Sequence, residues 1–113
     1  MKLAELVEKL ELDVRTGAES LDVDVTNGYA SDLLSDVMAR ANEGDVWITL
    51  QTHQNIVAVA VMKSLAGIIL VNGREPEEAA VDKATAEAIP IMVSGLSTFD
   101  LVGKLFELGI KGS

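Results

Sequence analysis

The sequence predicts a single α/β domain in which a mostly parallel sheet carries helices on its faces. Three segments of the second half repeat one order: an apolar, β-branched stretch, a short polar break and the start of a helix. This order is typical of parallel strands joined by crossover helices. The composition agrees, because 49% of the residues are hydrophobic but only 4% are aromatic, so aliphatic side chains must fill the core. We expect about five strands in a layered sandwich, with residues 1–113 forming one domain.

The first half of the chain is predicted to hold two helices and two strands. Apolar residues at helical spacing from Leu3 to Leu10 predict a first helix. Period-two alternation predicts strands over 12–16 and 21–26, with turns at 17–20 and 26–28. The second helix is expected from residue 31, capped by Ser31 or Asp32 and ending at 42–44. Its predicted apolar stripe consists of Leu33, Leu34, Val37, Met38 and Ala41.

The second half is predicted to hold three strands, at 46–50, 67–71 and 89–93, each followed by a polar break. The breaks cover 51–55, 72–76 and 94–98. Helices are expected to begin near Thr52, Glu75 and Ser97. Because the carboxyl ends of parallel strands meet at one edge of a sheet, we expect the three breaks to lie side by side where open α/β folds bind ligands.

Residues 56–62 are ambiguous, because their β-branched side chains favour a strand whereas their place between two strands requires a crossover helix. We predict a helix. Its apolar residues then cover the whole circumference, although a surface helix needs an apolar stripe on one side only. We expect the second face to form a homodimer, with deep burial inside the chain as the alternative. The residues concerned are Ile56, Val57, Val59, Val61 and Met62.

Charge and composition argue against several classes of function. A net charge of −9 leaves no basic stripe for nucleic acid or for an anionic membrane surface. The first 50 residues carry 11 acidic and 4 basic side chains, whereas residues 51–113 carry 7 and 5, so the second half is the better place for an anionic ligand. There is no cysteine, and neither a calcium loop nor a phosphate-binding glycine motif is present. We expect no metal and no cofactor.

The sequence predicts a cytoplasmic protein. Acidic residues interrupt residues 1–12, so no secretory leader is expected there. The longest uncharged run, 46–62, contains the polar break at 51–55 and is too short to span a membrane. The absence of cysteine agrees with a reducing compartment.

Candidate ligand-binding residues lie in the three breaks and in one turn. A helix start at Thr52 and His53 can hold a phosphate or carboxylate, and the guanidinium of Arg74 can bind an anion in a bidentate manner. Each has a structural alternative: a solvated helix cap for Thr52 and His53, and an ion pair with Glu75, Glu77 or Glu78 for Arg74. Ser97 and Asp100 resemble a capping box. The predicted set is Thr52, His53, Asn72, Gly73, Arg74, Ser94 and Thr98, with Thr26, Asn27, Gly28 and Tyr29 as a lid.

Several short segments, taken in order, resemble the DRTGG domain family. They are VRTG at 14–17, VTNGY at 25–29 before SDLL at 31–34, GDVWIT at 44–49, AGIIL at 66–70, NGREP at 72–76 and IPI at 89–91. The likeness extends over nearly the whole chain. It departs from the family pattern at Ala18, where the family has a second glycine.

The resemblance implies a compact α/β domain similar to the amino-terminal domain of HPr kinase. Such domains occur alone or beside CBS pairs and are regarded as regulatory or ligand-sensing, without catalysis of their own. Stand-alone members are sometimes encoded near iron–sulfur hydrogenases, where a chain without cysteine would be an accessory. The family supplies no established ligand-binding or catalytic residues to carry over.

We therefore expect a regulatory domain, not an enzyme, that binds a small anionic metabolite or nucleotide. The alternative is a protein-interaction or accessory subunit that makes contacts through the 56–62 helix and an exposed Trp47 or Tyr29. A third class, an enzyme in which His53 takes part in phosphoryl or acyl transfer, is the least favoured.

Overall fold

A computed structural model describes all 113 residues and shows a five-stranded sheet between two layers of helices. The predicted α/β sandwich is therefore confirmed. No helix combines the length and the apolar character that crossing a lipid bilayer requires. In chain order the elements are α1 (Leu3–Lys9), β1 (Asp13–Thr16), a 3₁₀ turn (Ala18–Ser20), β2 (Gly28–Ala30), α2 (Leu34–Arg40), β3 (Val46–Thr49), α3 (Asn55–Lys63), β4 (Gly67–Leu70), α4 (Glu78–Glu87), β5 (Ile91–Val93) and α5 (Thr98–Glu107).

The strands lie in the order β1-β5-β4-β3-β2. Strands β2, β3, β4 and β5 are parallel, and β1 runs antiparallel to β5 at one side of the sheet. The carboxyl ends of four strands therefore share one edge of the sheet, and we call this the carboxyl edge. The amino end of β1 joins it, because Asp13 pairs with Val93.

Each face of the sheet buries its own apolar cluster. Helices α1 and α5 cover one face, where Leu3, Leu6, Leu101 and Leu105 meet strand residues such as Ile69. Helices α2, α3 and α4 cover the other face. Strands buried on both sides explain the continuous apolar runs, because neither face of β3, β4 or β5 needs polar side chains.

The segment from Arg15 to Gly17 fixes β1 against β5. The hydroxyl of Thr16 donates to the carbonyl oxygen of Ile89 at 2.8 Å and accepts from the amide of Ile91 at 3.0 Å. Gly17 has a φ of +70°, and a Cβ there would lie 2.5 Å from the backbone nitrogen of Pro90. Only glycine fits this close approach. Ala18, by contrast, is exposed in the 3₁₀ turn, so its side chain is tolerated there.

The predicted strand over 21–26 is wrong. This segment pairs with the start of the chain instead: the amide of Leu3 donates to Val23 at 2.9 Å, and the amide of Val25 donates to Met1 at 2.8 Å. The strand beside β3 is β2, which begins at Gly28, inside the predicted turn. Alternation shows that a segment has two different faces, but it does not show which neighbour it pairs with.

Helix α2 begins later than predicted and has no side-chain cap. Its N-cap is Leu33, whose side chain is 63% exposed. Leu33 therefore does not belong to the apolar side of α2, contrary to the sequence prediction. Ser31 instead accepts from the amide of Leu33 at 3.2 Å. The Asp32 carboxylate turns toward the end of β3, as described below. Helices α3 and α4 also begin about three residues beyond Thr52 and Glu75, because the loops before them extend across the edge.

The predicted helix over 56–62 is confirmed as α3, but most of its apolar surface lies inside the domain. Ile56, Val57 and Val59 are buried in the cluster on this side of the sheet. Only Val61 and Met62, 42% and 69% exposed, remain of the predicted dimer surface.

Trp47 is not exposed, so it cannot be the contact residue that the alternative function of an interaction subunit requires. It is fully buried, and its indole nitrogen donates to the carbonyl of Ser31 at 2.9 Å. Since it is the only tryptophan, its fluorescence reports on unfolding.

We expect Gly17→Ala to lower the free energy of unfolding by about 3 kcal/mol, because it combines a left-handed backbone with a clash against Pro90. Denaturant titration followed by Trp47 fluorescence measures this loss. The matched control is Gly95→Ala, because a Cβ at Gly95 meets nothing within 4 Å and its φ is not positive. Equal midpoints for the two variants would contradict a tight fit at Gly17.

Candidate functional site

The three polar breaks lie in a row along the carboxyl edge, as predicted. The amides of Asn72 and Gly73 donate to the carbonyl oxygens of Leu96 and Ser94, both at 2.8 Å. These bonds join the loop after β4 to the loop after β5. Side chains that are more than 20 residues apart in the sequence therefore become neighbours.

The loop after β3 joins the same row through Thr52. Its carbonyl accepts from the amide of Glu77 at 3.0 Å, and its hydroxyl lies 3.2 Å from a carboxylate oxygen of Glu77. Thr52 therefore does not cap α3, whose N-cap is Gln54 without a side-chain bond. The cap-like contact comes from His53, whose Nδ1 accepts from the amide of Asn55 at 3.1 Å.

A fourth loop, after β2, completes the edge and was not predicted. The Asp32 carboxylate accepts from the amide of Leu50 at 2.7 Å and from the Thr49 hydroxyl at 3.0 Å. The side-chain amide of Gln51 donates to the Asp32 carbonyl at 2.9 Å. The sequence predicted Asp32 as a possible cap of α2, because the pairing of β2 with β3 could not be read from it.

Arg74 forms no ion pair, so the predicted alternative of a salt bridge to Glu75, Glu77 or Glu78 is wrong. Its side chain is exposed at the carboxyl edge. The carboxylate of Glu75 is occupied by Arg15 of β1, with two bonds of 2.6 and 2.8 Å. The Arg74 guanidinium is therefore open to an anion.

Ser94 and Thr98 are at least partly buried, and Ser94 bonds to the backbone of its own loop. Ser94 is buried, and its hydroxyl accepts from the amide of Leu96 at 3.1 Å. Thr98 is the first residue of α5 and is half-buried. The predicted cap is confirmed at Ser97, whose hydroxyl accepts from the amide of Asp100 at 3.2 Å.

A polar cavity of about 270 Å³ opens at the carboxyl edge, beside the end of β5. Lys9 at the end of α1 and Lys104 on α5 both line it, and neither is paired with a carboxylate. Glu11 is the acidic residue in the lining. Sequence reasoning missed both lysines, because the cavity exists only where α1 and α5 meet over the β5 loop. The lining residues are Lys9, Leu10, Glu11, Ser94, Gly95, Leu96 and Lys104.

Of the predicted edge residues, only Ser94 lines this cavity. Thr52, His53, Asn72, Gly73, Arg74 and Thr98 line none of the four cavities in the structure. They border open surface along the edge instead. The cations that border the cavity beside β5 are Lys9 and Lys104, whereas Arg74 lies outside it.

The predicted lid lies elsewhere. Asn27 accepts from the amide of Val46 at 2.9 Å and Thr26 donates to Gly44 at 3.0 Å, so both sit at the amino ends of β2 and β3. Gly28 and Tyr29 belong to β2 itself. Because strands β2 to β5 are parallel, this turn is at the opposite edge of the sheet and cannot cover the three loops.

The Tyr29 side chain instead forms a hydrogen bond with α2. Its hydroxyl donates to the Asp36 carboxylate at 2.7 Å. This bond raises the pKa of Tyr29 and lowers the pKa of Asp36, which also faces Arg40 at 3.5 Å. The pairing supports the position of α2 against the sheet and leaves Tyr29 without a role at the carboxyl edge.

Comparison with solved structures finds the same fold in a regulatory protein. The structure contains the CBS and DRTGG domains of the regulatory region of Clostridium perfringens pyrophosphatase, in complex with the activator diadenosine tetraphosphate. The TM-score is 0.73 and the sequence identity is 15%; the match covers 90% of this chain and 44% of that chain. No family model matches the sequence, and no curated protein matches it either. The DRTGG-like fold that the sequence motifs predicted is thus confirmed.

The Arg15–Glu75 pair is expected to give an acid-sensitive contribution to stability. The Arg15 guanidinium lowers the pKa of Glu75 below its ordinary value of 4.5, so the contribution is complete above about that pH. It disappears as the pH falls through the lower pKa of the folded state. Urea titration at neutral and acidic pH should show Glu75→Gln less stable than the parent at pH 7 but nearly equal in acid. Glu78→Gln is the control, and a loss at Glu75 that persists in acid would contradict the pairing.

Tyr29 is the only tyrosine, so its ionisation can be followed directly by ultraviolet absorbance. We expect the folded protein to titrate above the ordinary tyrosine value of 10.0, because the neighbouring carboxylate disfavours the phenolate. Asp36→Ala should bring the titration back toward that value. Ser35→Ala, on the same helix, is the control. An unchanged titration in Asp36→Ala would show that the bond is absent in solution.

Proposed function

We propose that this chain is a regulatory, ligand-sensing domain that binds a small anionic metabolite or nucleotide at the carboxyl edge. The observation that supports this most is the cavity with two unpaired lysines in a protein of net charge −9. Two cations without carboxylate partners create a local positive potential, and this potential attracts an anion. The unpaired Arg74 on the same edge adds to this potential.

Nucleotides with several phosphates are the first ligands to test. The solved structure with the same fold is a complex with diadenosine tetraphosphate, which is a statement about that protein and not about this chain. For this chain the support comes from charge: Lys9, Lys104 and Arg74 lie along one edge rather than at one point. An anion inside the cavity can meet both lysines, and an extended polyanion can in addition reach toward Arg74.

The side-chain contacts at the carboxyl edge favour a binding function over a catalytic one. The Nδ1 of His53 is used in a local turn, and no carboxylate bonds to its ring. The hydroxyl of Ser94 is likewise directed to the backbone of its own loop. General acid–base and nucleophilic mechanisms need such groups to contact each other, and here each contacts backbone.

The proposal predicts that a nucleotide stabilises the protein against heat. At 100 times its dissociation constant a ligand adds about 2.7 kcal/mol to the free energy of unfolding. The panel comprises diadenosine tetraphosphate, ATP, AMP and inorganic tripolyphosphate, so that base and phosphate contributions separate. Lys9→Gln and Lys104→Gln should each raise the Kd about tenfold, as for loss of one charge-assisted hydrogen bond.

Lys83→Gln is the matched control, because Lys83 is exposed on α4 and lines no cavity. Arg74→Gln tests whether the ligand extends beyond the cavity. If no compound moves the unfolding midpoint, the ligand-sensing proposal is wrong and an accessory subunit becomes the better explanation. If Lys83→Gln weakens binding as much as Lys9→Gln, the effect is general charge and not this cavity.

A further inference from the structure

Helix α5 carries apolar side chains well beyond the part that the domain buries. Leu101 and Leu105 are buried against the sheet, whereas Phe99, Val102 and Phe106 are 88%, 37% and 56% exposed. Residues three, four and seven apart share one side of a helix, so these three form one exposed stripe. Single exposed apolar residues need no explanation, whereas the largest contiguous apolar patch of a protein is often a functional surface.

Two recesses flank this stripe. One, of about 280 Å³, is lined by Leu96, Phe99 and Gly103 together with the charged residues Asp100, Lys104 and Glu107. A Cβ at Gly103 would meet nothing within 4 Å. The other, of about 230 Å³, lies between α5 and β2 and is mostly apolar, with Val102 and Phe106 among its lining residues. The Phe99 ring protrudes freely, whereas the Lys111 ammonium lies over the Phe106 ring, 3.6 Å from its centre. Along one helix, a protruding ring thus lies beside hollows. A two-fold interface requires such a surface, because each patch must fit a copy of itself.

The charge distribution favours a second copy at this place. Two chains of net charge −9 repel each other, but residues 97–113 carry two acidic and two basic side chains, Asp100 and Glu107 against Lys104 and Lys111. This segment is therefore neutral. Two copies can approach through α5 with less repulsion than through the acidic first half.

The outer edge of β2 is not available for pairing with a strand of a second copy. The amide of Gly28 donates to Lys111 at 2.8 Å, and the amide of Ser113 donates back to Gly28 at 3.1 Å. The end of the chain thus pairs with this edge, and the accessible surface beside it is the face of the helix.

The exposed area suits the centre of a small dimer interface. An aromatic side chain can bury about 150–250 Å², so the exposed parts of Phe99, Phe106 and Val102 offer roughly 300 Å² per copy. A standard interface buries about 800 Å² per partner, somewhat more than half of it apolar. The stripe therefore provides most of the apolar centre, and the polar residues around it provide the rim.

We propose that the chain forms a two-fold homodimer through α5, in which the Phe99 ring of one copy occupies a hollow beside α5 of the other and the Phe106 ring packs next to this contact. This replaces the surface predicted on α3, where only Val61 and Met62 remain exposed. The dimer does not depend on the proposed ligand, and a monomer could still bind one.

The test is sedimentation equilibrium of the full chain over a wide concentration range. The parent should be a dimer that dissociates at low concentration. Phe99→Glu should raise the dimer Kd at least tenfold, because a charge replaces a central aromatic anchor. Gly103→Leu should do the same by filling the hollow, and since nothing lies within 4 Å of that position the monomer should fold normally. Circular dichroism and Trp47 fluorescence verify folding.

Met62→Glu on α3 is the matched control and should leave the Kd unchanged. If the parent chain stays monomeric at all concentrations, the proposal is wrong. That conclusion holds even if a different protein contacts the exposed stripe of α5. The proposal is also wrong if Met62→Glu dissociates the dimer and Phe99→Glu leaves it intact. In that case the interface lies on α3.

Discussion

The antiparallel pairing of β1 with β5 is the constraint on which the candidate site depends. Thr16 bridges two backbone positions of the segment that leads into β5, and Gly17 lies directly against Pro90. This contact holds the chain beside β5, so the turn between α1 and β1 must pass over the loop that follows β5. This path brings Lys9 and Glu11 to the cavity. The motif from residue 14 to 17 thus acts on the site by positioning the chain beside β5, through the Thr16 hydroxyl and the close approach of Gly17.

The carboxyl edge combines loops that are joined by backbone hydrogen bonds with cations that have no carboxylate partner. Backbone bonds tie the loop after β4 to the loop after β5, and Thr52 ties in the loop after β3. Most polar side chains there serve these connections: His53, Ser94 and Asp32 each bond to nearby backbone. What remains for a ligand is positive charge, at Lys9, Lys104 and Arg74. Positive charge of this kind attracts an anion, which agrees with the proposed ligand-sensing role.

Helix α5 links the two proposed surfaces. Its inner side buries Leu101 and Leu105, its outer side exposes Phe99 and Phe106, and Lys104 between them lines both the cavity and the hollow at Gly103. The helix therefore has apolar residues around more of its circumference than one core contact requires. Such a distribution is expected where a helix packs on the domain with one side and on a second molecule with the other.

The sequence by itself determined the elements whose patterns are local. Apolar runs and polar breaks gave the strands 46–49, 67–70 and 91–93 to within two residues at each end, and crossover logic gave α3. Parallel strands then required the breaks to meet at one edge. Only the tertiary structure decided which segment pairs beside β3, that Trp47 is buried, and that Lys9 and Lys104 border one cavity. Strand pairing and the approach of two helices depend on contacts between residues far apart in the chain, and period-two or helical spacing carries no information about such partners.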